Sequence, residues 1–212
     1  MSKLLPWIVF VGAVLLVVAG VVNMAKQNGG GETGQTYPIT IAADDWVEGP
    51  ADAPLTLVEY SDFQCPACAA YAPVVKQMRA EFASSTRFVY RNFPLQQHKN
   101  AKIAAYVAGA AGMQGKFFAM HDALFEHQLE WSDSSTPETL FLQYAQTIGL
   151  DLNRLKTDLA SKAVQDKVDR DVASGQTYNV NATPTFFLNG KKLQNPASPD
   201  AFRALLNAAL RP

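Results

Sequence analysis

The stretch Val58–Val75, VEYSDFQCPACAAYAPVV, decides how the rest of the chain is read. Its first residues belong to a compact apolar run, Leu55–Tyr60 (LTLVEY), that follows Pro54 and reads as a buried strand. Its last residues begin a helical pattern from Pro66 to Phe82, in which Ala69, Ala72, Val75, Met78 and Phe82 recur at helical spacing. Pro66 suits the first helical position, where a missing N–H is harmless. Pro73, inside the helix, predicts a kink. Between strand and helix stands Cys65-Pro66-Ala67-Cys68, which holds the chain's two cysteines.

Two intervening residues let a pair of thiols close a disulfide ring. The thiolate is the reacting species, and a helix N-terminus favours negative charge. Cys65 takes that position and reads as the nucleophile. Cys68, one turn further in and better shielded, reads as the resolving thiol. In an oxidised pair a substrate thiolate attacks Cys65; in a reduced pair Cys65 attacks a substrate disulfide and Cys68 releases it. A plain stabilising disulfide would gain little chain entropy from so small a loop. Half a zinc site would need histidines. The chain has His98, His121 and His127, and the last two are six apart, which does not place them on one helical face. The pair therefore reads as a redox-active disulfide, with no metal and no cofactor.

Outward from this centre the pattern is strand, helix, strand, several helices, strand, hairpin, strand, helix. Thr86–Phe93 (TRFVYRNF) is a second strand, and Pro38–Ala42 reads as a short edge strand. Helical stripes follow over Asn100–Ala111 and Lys116–Phe125, then from Pro137 with Thr136 as its cap, from Asp151, and through Val164, Val168 and Val172. These stripes read as core packing. Thr185–Leu188 is a strand, and Asn189-Gly190 predicts a tight hairpin returning through Lys191–Leu193. Pro199–Leu210 closes the chain as an amphipathic helix. The class is α/β, without internal repeats.

The 212 residues carry 18 basic and 19 acidic side chains, a net charge of −1, which argues against a nucleic-acid partner. With 48% hydrophobic residues the chain is not mainly disordered, and two cysteines exclude a disulfide-dense scaffold. Leu4–Val22 (LLPWIVFVGAVLLVVAGVV) is uncharged and, as a helix, about 28 Å long, enough to cross a bilayer. No good small-x-small site follows it, and no cysteine stands at its end. Residues 1–27 are thus expected to be an uncleaved, single-pass transmembrane helix, a signal anchor, with the rest of the chain exported. Residues 28–36 (NGGGETGQT) are expected to be a flexible linker.

Four segments carry a family resemblance: Val58–Val75, Arg91–Leu95 (RNFPL), Gly115–Phe125 (GKFFAMHDALF) and Ala182–Gly190 (ATPTFFLNG). They resemble DsbA-like thiol–disulfide oxidoreductases of the membrane-anchored bacterial type, over residues 38 to 210. The resemblance implies a thioredoxin fold with an inserted helical domain: a first half over 37–97, the insertion over 98–176, and a second half over 177–212. It implies that Thr183-Pro184 is a cis-proline site that faces the cysteines and binds substrate backbone. It also implies that Glu59 is a buried acid linked to proton transfer with the inner cysteine, where a raised pKa would suit the role. His98 reads more readily as a solvent-facing or capping residue than as a catalytic one.

The implied activity is disulfide bond formation on the extracytoplasmic side of the bacterial cell membrane. Cysteine-containing exported proteins would be the substrates, and a quinone-linked membrane oxidase resembling DsbB or VKOR would reoxidise the pair. Two alternatives remain: a reductase or isomerase on the same fold, and a non-catalytic binding or chaperone module. Ala67 departs from strongly oxidising relatives, which often carry a histidine there. One contact to the Cys65 thiolate is therefore absent.

Overall fold

In the computed structural model, residues 32–211 are described. The expected anchor over 1–27 lies outside them. Among the described residues no helix is long and apolar enough to cross a membrane.

Six strands form one mixed sheet: β1 (Glu32–Thr36), β2 (Trp46–Glu48), β3 (Leu55–Ser61), β4 (Thr86–Asn92), β5 (Thr185–Leu188) and β6 (Lys191–Leu193). Their order across the sheet is β1-β6-β5-β3-β4-β2. β3 and β4 run parallel, joined by the crossover helix α1 (Pro66–Glu81), and the other neighbours pair antiparallel. Six helices lie between β4 and β5: α2 (Ala101–Gly112), α3 (Phe117–Glu126), α4 (Gln128–Trp131), α5 (Pro137–Thr147), α6 (Leu152–Leu159) and α7 (Lys162–Thr177). α8 (Pro199–Ala209) ends the fold.

Strand alternation sorts the core. Leu55 and Leu57 of β3 join Phe88, Phe186 and Leu188 on one face, covered by Val75 and Met78 of α1 and Phe202 and Leu206 of α8. Val58 and Tyr60 point the other way, to Val89, Phe93 and Phe187. The inserted helices build a third cluster around Leu124, Trp131, Phe141 and Leu155, and Cys68 belongs to it. The active-site helix is thus buried on one side by the sheet and on another by the insertion. Each large side chain so buried is worth about 1.5–3 kcal/mol.

A buried ion network also ties the insertion to the sheet. Arg91 of β4 pairs with Asp45 at 2.7 Å, and Lys167 of α7 reaches Asp45 at 3.3 Å and Asp171 at 2.5 Å. Asp171 in turn accepts from the Asn92 backbone N–H at 3.0 Å.

Several expectations are corrected. Glu32–Thr36, read as part of a flexible linker, is an edge strand paired with β6. Its ladder uses backbone groups that every residue carries, so a polar, glycine-containing stretch can supply it. Pro38–Ala42 forms no strand; the edge beyond β4 is taken by Trp46–Glu48 instead. Trp46 seats that strand by stacking on Phe117 at 4.6 Å and covering Gly112, where a Cβ would meet its ring at 2.3 Å. Thr136 precedes α5 but makes no side-chain cap, whereas Asp151 caps α6 by accepting from the N–H groups of Asn153 and Arg154. α1 continues helical through Pro73. The hairpin at Asn189-Gly190 is present, with both residues at positive φ (48° and 80°).

Candidate active site

β3 ends at Ser61, and a tight turn delivers Cys65 to the start of α1. Cys65 is extended (φ −71°, ψ 123°) and occupies the N-cap, with Pro66 behind it. Its N–H donates to the Asp62 carbonyl at 3.1 Å, and its own carbonyl accepts from Ala69 N–H at 3.1 Å. Both cysteines are free thiols. Cys65 is 7% exposed and Cys68 0%. A substrate sulfur can therefore reach Cys65 but not Cys68.

The loop before β5 closes the site from across the sheet. The Thr183–Pro184 bond is cis, and Cys65 Sγ donates to the Thr183 carbonyl at 3.4 Å. The two thiols differ sharply in acidity. The Cys68 thiol, hydrogen-bonding to Cys65, brings the Cys65 pKa down to about 5 against the cost of burial; the Thr183 side chain and the N–H groups of Cys68 and Ala67 add to the effect. Thr183 Oγ1 is buried and makes no hydrogen bond of normal geometry among the described residues. Burial pushes the Cys68 thiol far up, and its contact with Cys65 pushes it further. The Asp62 N–H, 3.5 Å from Cys68 Sγ, opposes this weakly.

Behind Cys68 the face of β3 changes character. Leu55 and Leu57 are followed on the same side by Glu59 and Ser61, and Glu59 stands in register with Tyr90 of β4. Glu59 is 6% exposed, and burial raises its pKa to about 7, opposed by the Ser61 hydroxyl and the Arg79 charge. The Ser61 hydroxyl also works against the rise of the Cys68 pKa. Ser61 Oγ and Tyr90 Oη are buried without a hydrogen-bond partner of normal geometry.

Two features were not read from the sequence. Asp62 is a buried carboxylate that accepts from Gln64 N–H at 2.7 Å, Leu95 N–H at 2.9 Å and the His98 ring at 2.6 Å. His98 therefore grips the active-site turn through Asp62; it is not a solvent-facing or capping residue. Gln128, on α4, donates from Nε2 to the carbonyls of Phe63 at 2.7 Å and Cys65 at 3.0 Å. The position of Asp62, three before Cys65, was a usable signal. Nothing in the local sequence marks Gln128.

No group of three histidine, cysteine or acidic residues among the described residues could hold a metal ion. The three histidines bind three separate carboxylates, Asp62, Asp122 and Glu130.

A strand that delivers two unequal cysteines to a helix N-terminus, facing a cis-proline loop on a mixed sheet, defines a thioredoxin-fold protein built for thiol–disulfide chemistry. A family model described as Thioredoxin matches residues 42–208. The chain belongs to that family, and its structure is similar to those of bacterial thiol–disulfide exchange proteins. BdbD from Bacillus subtilis, in its oxidised form, shares 25% identity at a TM-score of 0.69, covering 79% of this chain and 93% of that one. A thioredoxin-like oxidoreductase from Silicibacter pomeroyi shares 26% at 0.67, with the same coverage. Alpha-DsbA1 of Wolbachia pipientis, at 19% identity, TM-score 0.72 and coverage of 81% and 93%, shares the fold.

Among curated proteins, the Na(+)/H(+) antiporter NhaA 3 of Salinispora tropica is 39% identical over 166 residues, 78% of this chain and 24% of that protein. NhaA 1 of Mycolicibacterium gilvum is 40% identical over 157 residues, 72% of this chain and 24% of that protein. The chain thus spans about a quarter of the length of these relatives.

Proposed function

We propose that the chain is an extracytoplasmic protein-thiol oxidase that donates its Cys65–Cys68 disulfide to exported proteins. The observation that supports this direction is the asymmetry of the two thiols. A nucleophile held near pKa 5 stabilises the reduced pair, and a stabilised reduced form makes a pair oxidising.

The steps follow from exposure and acidity. A substrate thiolate attacks Cys65 Sγ, the Cys65–Cys68 bond breaks, and Cys68 leaves. Its high proton affinity requires a proton, which Glu59 supplies through Ser61. A second substrate thiolate attacks the substrate sulfur of the mixed disulfide and expels Cys65 as a stable thiolate. The substrate loses two electrons and the cysteine pair gains them. The cis-proline loop at Thr183 and Pro184 holds substrate backbone beside Cys65. Reoxidation requires an electron acceptor, for which we propose a quinone-linked membrane oxidase resembling DsbB or VKOR. Tethering by residues 1–27 would keep the domain at the membrane, beside that partner. Sodium–proton exchange is the named activity of the antiporter relatives, and this chain matches about a quarter of them.

The test is the reduction potential of the pair in glutathione buffers. A value above about −180 mV fits an oxidase, and a value below about −230 mV points to a reductase. Cys68→Ala should trap substrates as mixed disulfides through Cys65. If none forms, the assignment fails.

A further inference from the structure

Leu129 is 93% exposed, on a helix beside the reacting thiol. A single exposed leucine means little by itself. Here both neighbouring anchors hold it outward. Gln128 is buried and bonded to the Phe63 and Cys65 carbonyls, and Trp131 is fully buried, donating from Nε1 to the Leu124 carbonyl at 2.8 Å. α4 is only four residues long, so Leu129 cannot turn inward without breaking one of them.

A hollow of about 470 Å³ lies next to Leu129, its apolar wall made by Pro66, Ala69 and Phe125 and its polar side by Glu126, His127, Gln128 and Glu130. It continues along α1 into a second hollow of about 340 Å³, which shares Ala69, Phe125 and Glu126 and ends at the Lys76–Asp122 ion pair. Small residues at Ala69, Ala72 and Pro73 leave this cleft open. Glu126 is exposed and, among the described residues, makes no hydrogen bond or ion pair. The cleft therefore has an apolar floor and a polar rim, in which Glu130 is engaged by His127 and Tyr144 while the Glu126 carboxylate is not, and it begins at the residue after Cys65.

We propose that this cleft seats the polypeptide segment flanking the reacting cysteine of a substrate, with a bulky apolar side chain against Leu129 and Phe125 and a lysine or arginine against Glu126. The inference rests on the oxidase reading above. Its continuity with Cys65 selects a chain already held there by a mixed disulfide. An extended segment advances about 3.3 Å per residue, so an apolar residue and a basic one a few positions apart can occupy the two subsites together. Such a segment is exposed in a chain that has not yet folded, which would favour newly exported proteins over finished ones.

The test uses the full chain, oxidised, with two reduced dithiol peptides. One carries leucine and lysine beside the cysteine, the other serine and glutamate. Each rate is divided by that for reduced glutathione with the same variant. The wild type should prefer the leucine–lysine peptide by about tenfold, the scale of one apolar contact in a pocket. Leu129→Ser should remove most of that preference, and Glu126→Lys should shift it towards the glutamate peptide. Glutathione oxidation with the same peptide ratio in all three proteins overturns the cleft alone. Absence of any thiol oxidation overturns the oxidase reading and the cleft with it. Sedimentation that shows a dimer dissolved by Leu129→Ser, or vesicle binding lost with it, assigns the surface to a second copy or a bilayer and also overturns the proposal.

Discussion

Gln128 Nε2 lies 3.0 Å from the carbonyl oxygen of Cys65, so a residue of the inserted domain holds the backbone of the nucleophile. The same NH₂ group serves the Phe63 carbonyl, for which it is the partner that burial demands. Replacing Gln128 by Leu keeps the volume and removes both bonds. An unsatisfied buried carbonyl costs about 1–3 kcal/mol. Urea unfolding should show a loss in that range. The Cys65 alkylation profile should move as well, because the N–H groups that face its sulfur lie on the turn that Gln128 holds.

Lys167 should be the more sensitive tie between insertion and sheet. It sits between Asp45 and Asp171, all three nearly buried, while Arg91 completes the pairing of Asp45. Lys167→Met leaves Asp171 with a buried charge and only the Asn92 donors. Breaking a buried pair from one side costs about 3–5 kcal/mol. The expected result is a large fall in stability with faster hydrogen exchange in α7. Exchange unchanged in α7 would mean that the network does not hold the insertion in place.

What could be read from the sequence was local. Cys65-Pro66-Ala67-Cys68 declares itself because strand, turn and helix signals adjoin it, and Asn189-Gly190 because its turn type demands those residues. Glu59 was reachable through the family resemblance, from its place six residues before Cys65 on the preceding strand. Gln128 and His98 were not, since their meaning comes from partners 63 and 36 positions away in the chain. β1 and β2 escaped for a related reason. A short edge strand is specified by the edge it joins, through backbone groups common to all residues, and its own side chains say little.

Glu59 should make stability fall as pH rises. Its carboxyl titrates near 4.5 when unfolded and near 7 in the fold, so the folded state binds more protons between those values. Stability attributable to this group is intact below about pH 4.5, declines as the pH rises through 7, and the full cost is roughly 3 kcal/mol. Glu59→Gln removes the cost. The variant should gain stability over the wild type at pH 8 and show little gain at pH 4.5. It should also slow release of Cys68 as leaving group, seen as a mixed disulfide that forms more slowly from the oxidised protein. Equal stability differences at both pH values would place the Glu59 carboxyl in contact with water.

Cys65 works in the opposite sense. Its thiol titrates near 9 when unfolded and near 5 in the fold, so the reduced protein gains stability that is complete above pH 9 and is lost as pH falls through 5. The oxidised protein has no such group. Reduced and oxidised forms, unfolded in urea across pH 4 to 8, should therefore diverge with rising pH, the reduced form becoming the more stable. Thr183→Val tests the source of part of that gain, because it keeps the shape of the loop and removes the hydroxyl beside the sulfur. Its expected effect is a higher Cys65 pKa, read from the pH at which alkylation is half-maximal. A more negative reduction potential should accompany it, about 30 mV for each tenfold weakening of the reduced state. A pKa that rises without any change in potential would separate thiolate stabilisation from redox poise, and the oxidase direction would then need another cause.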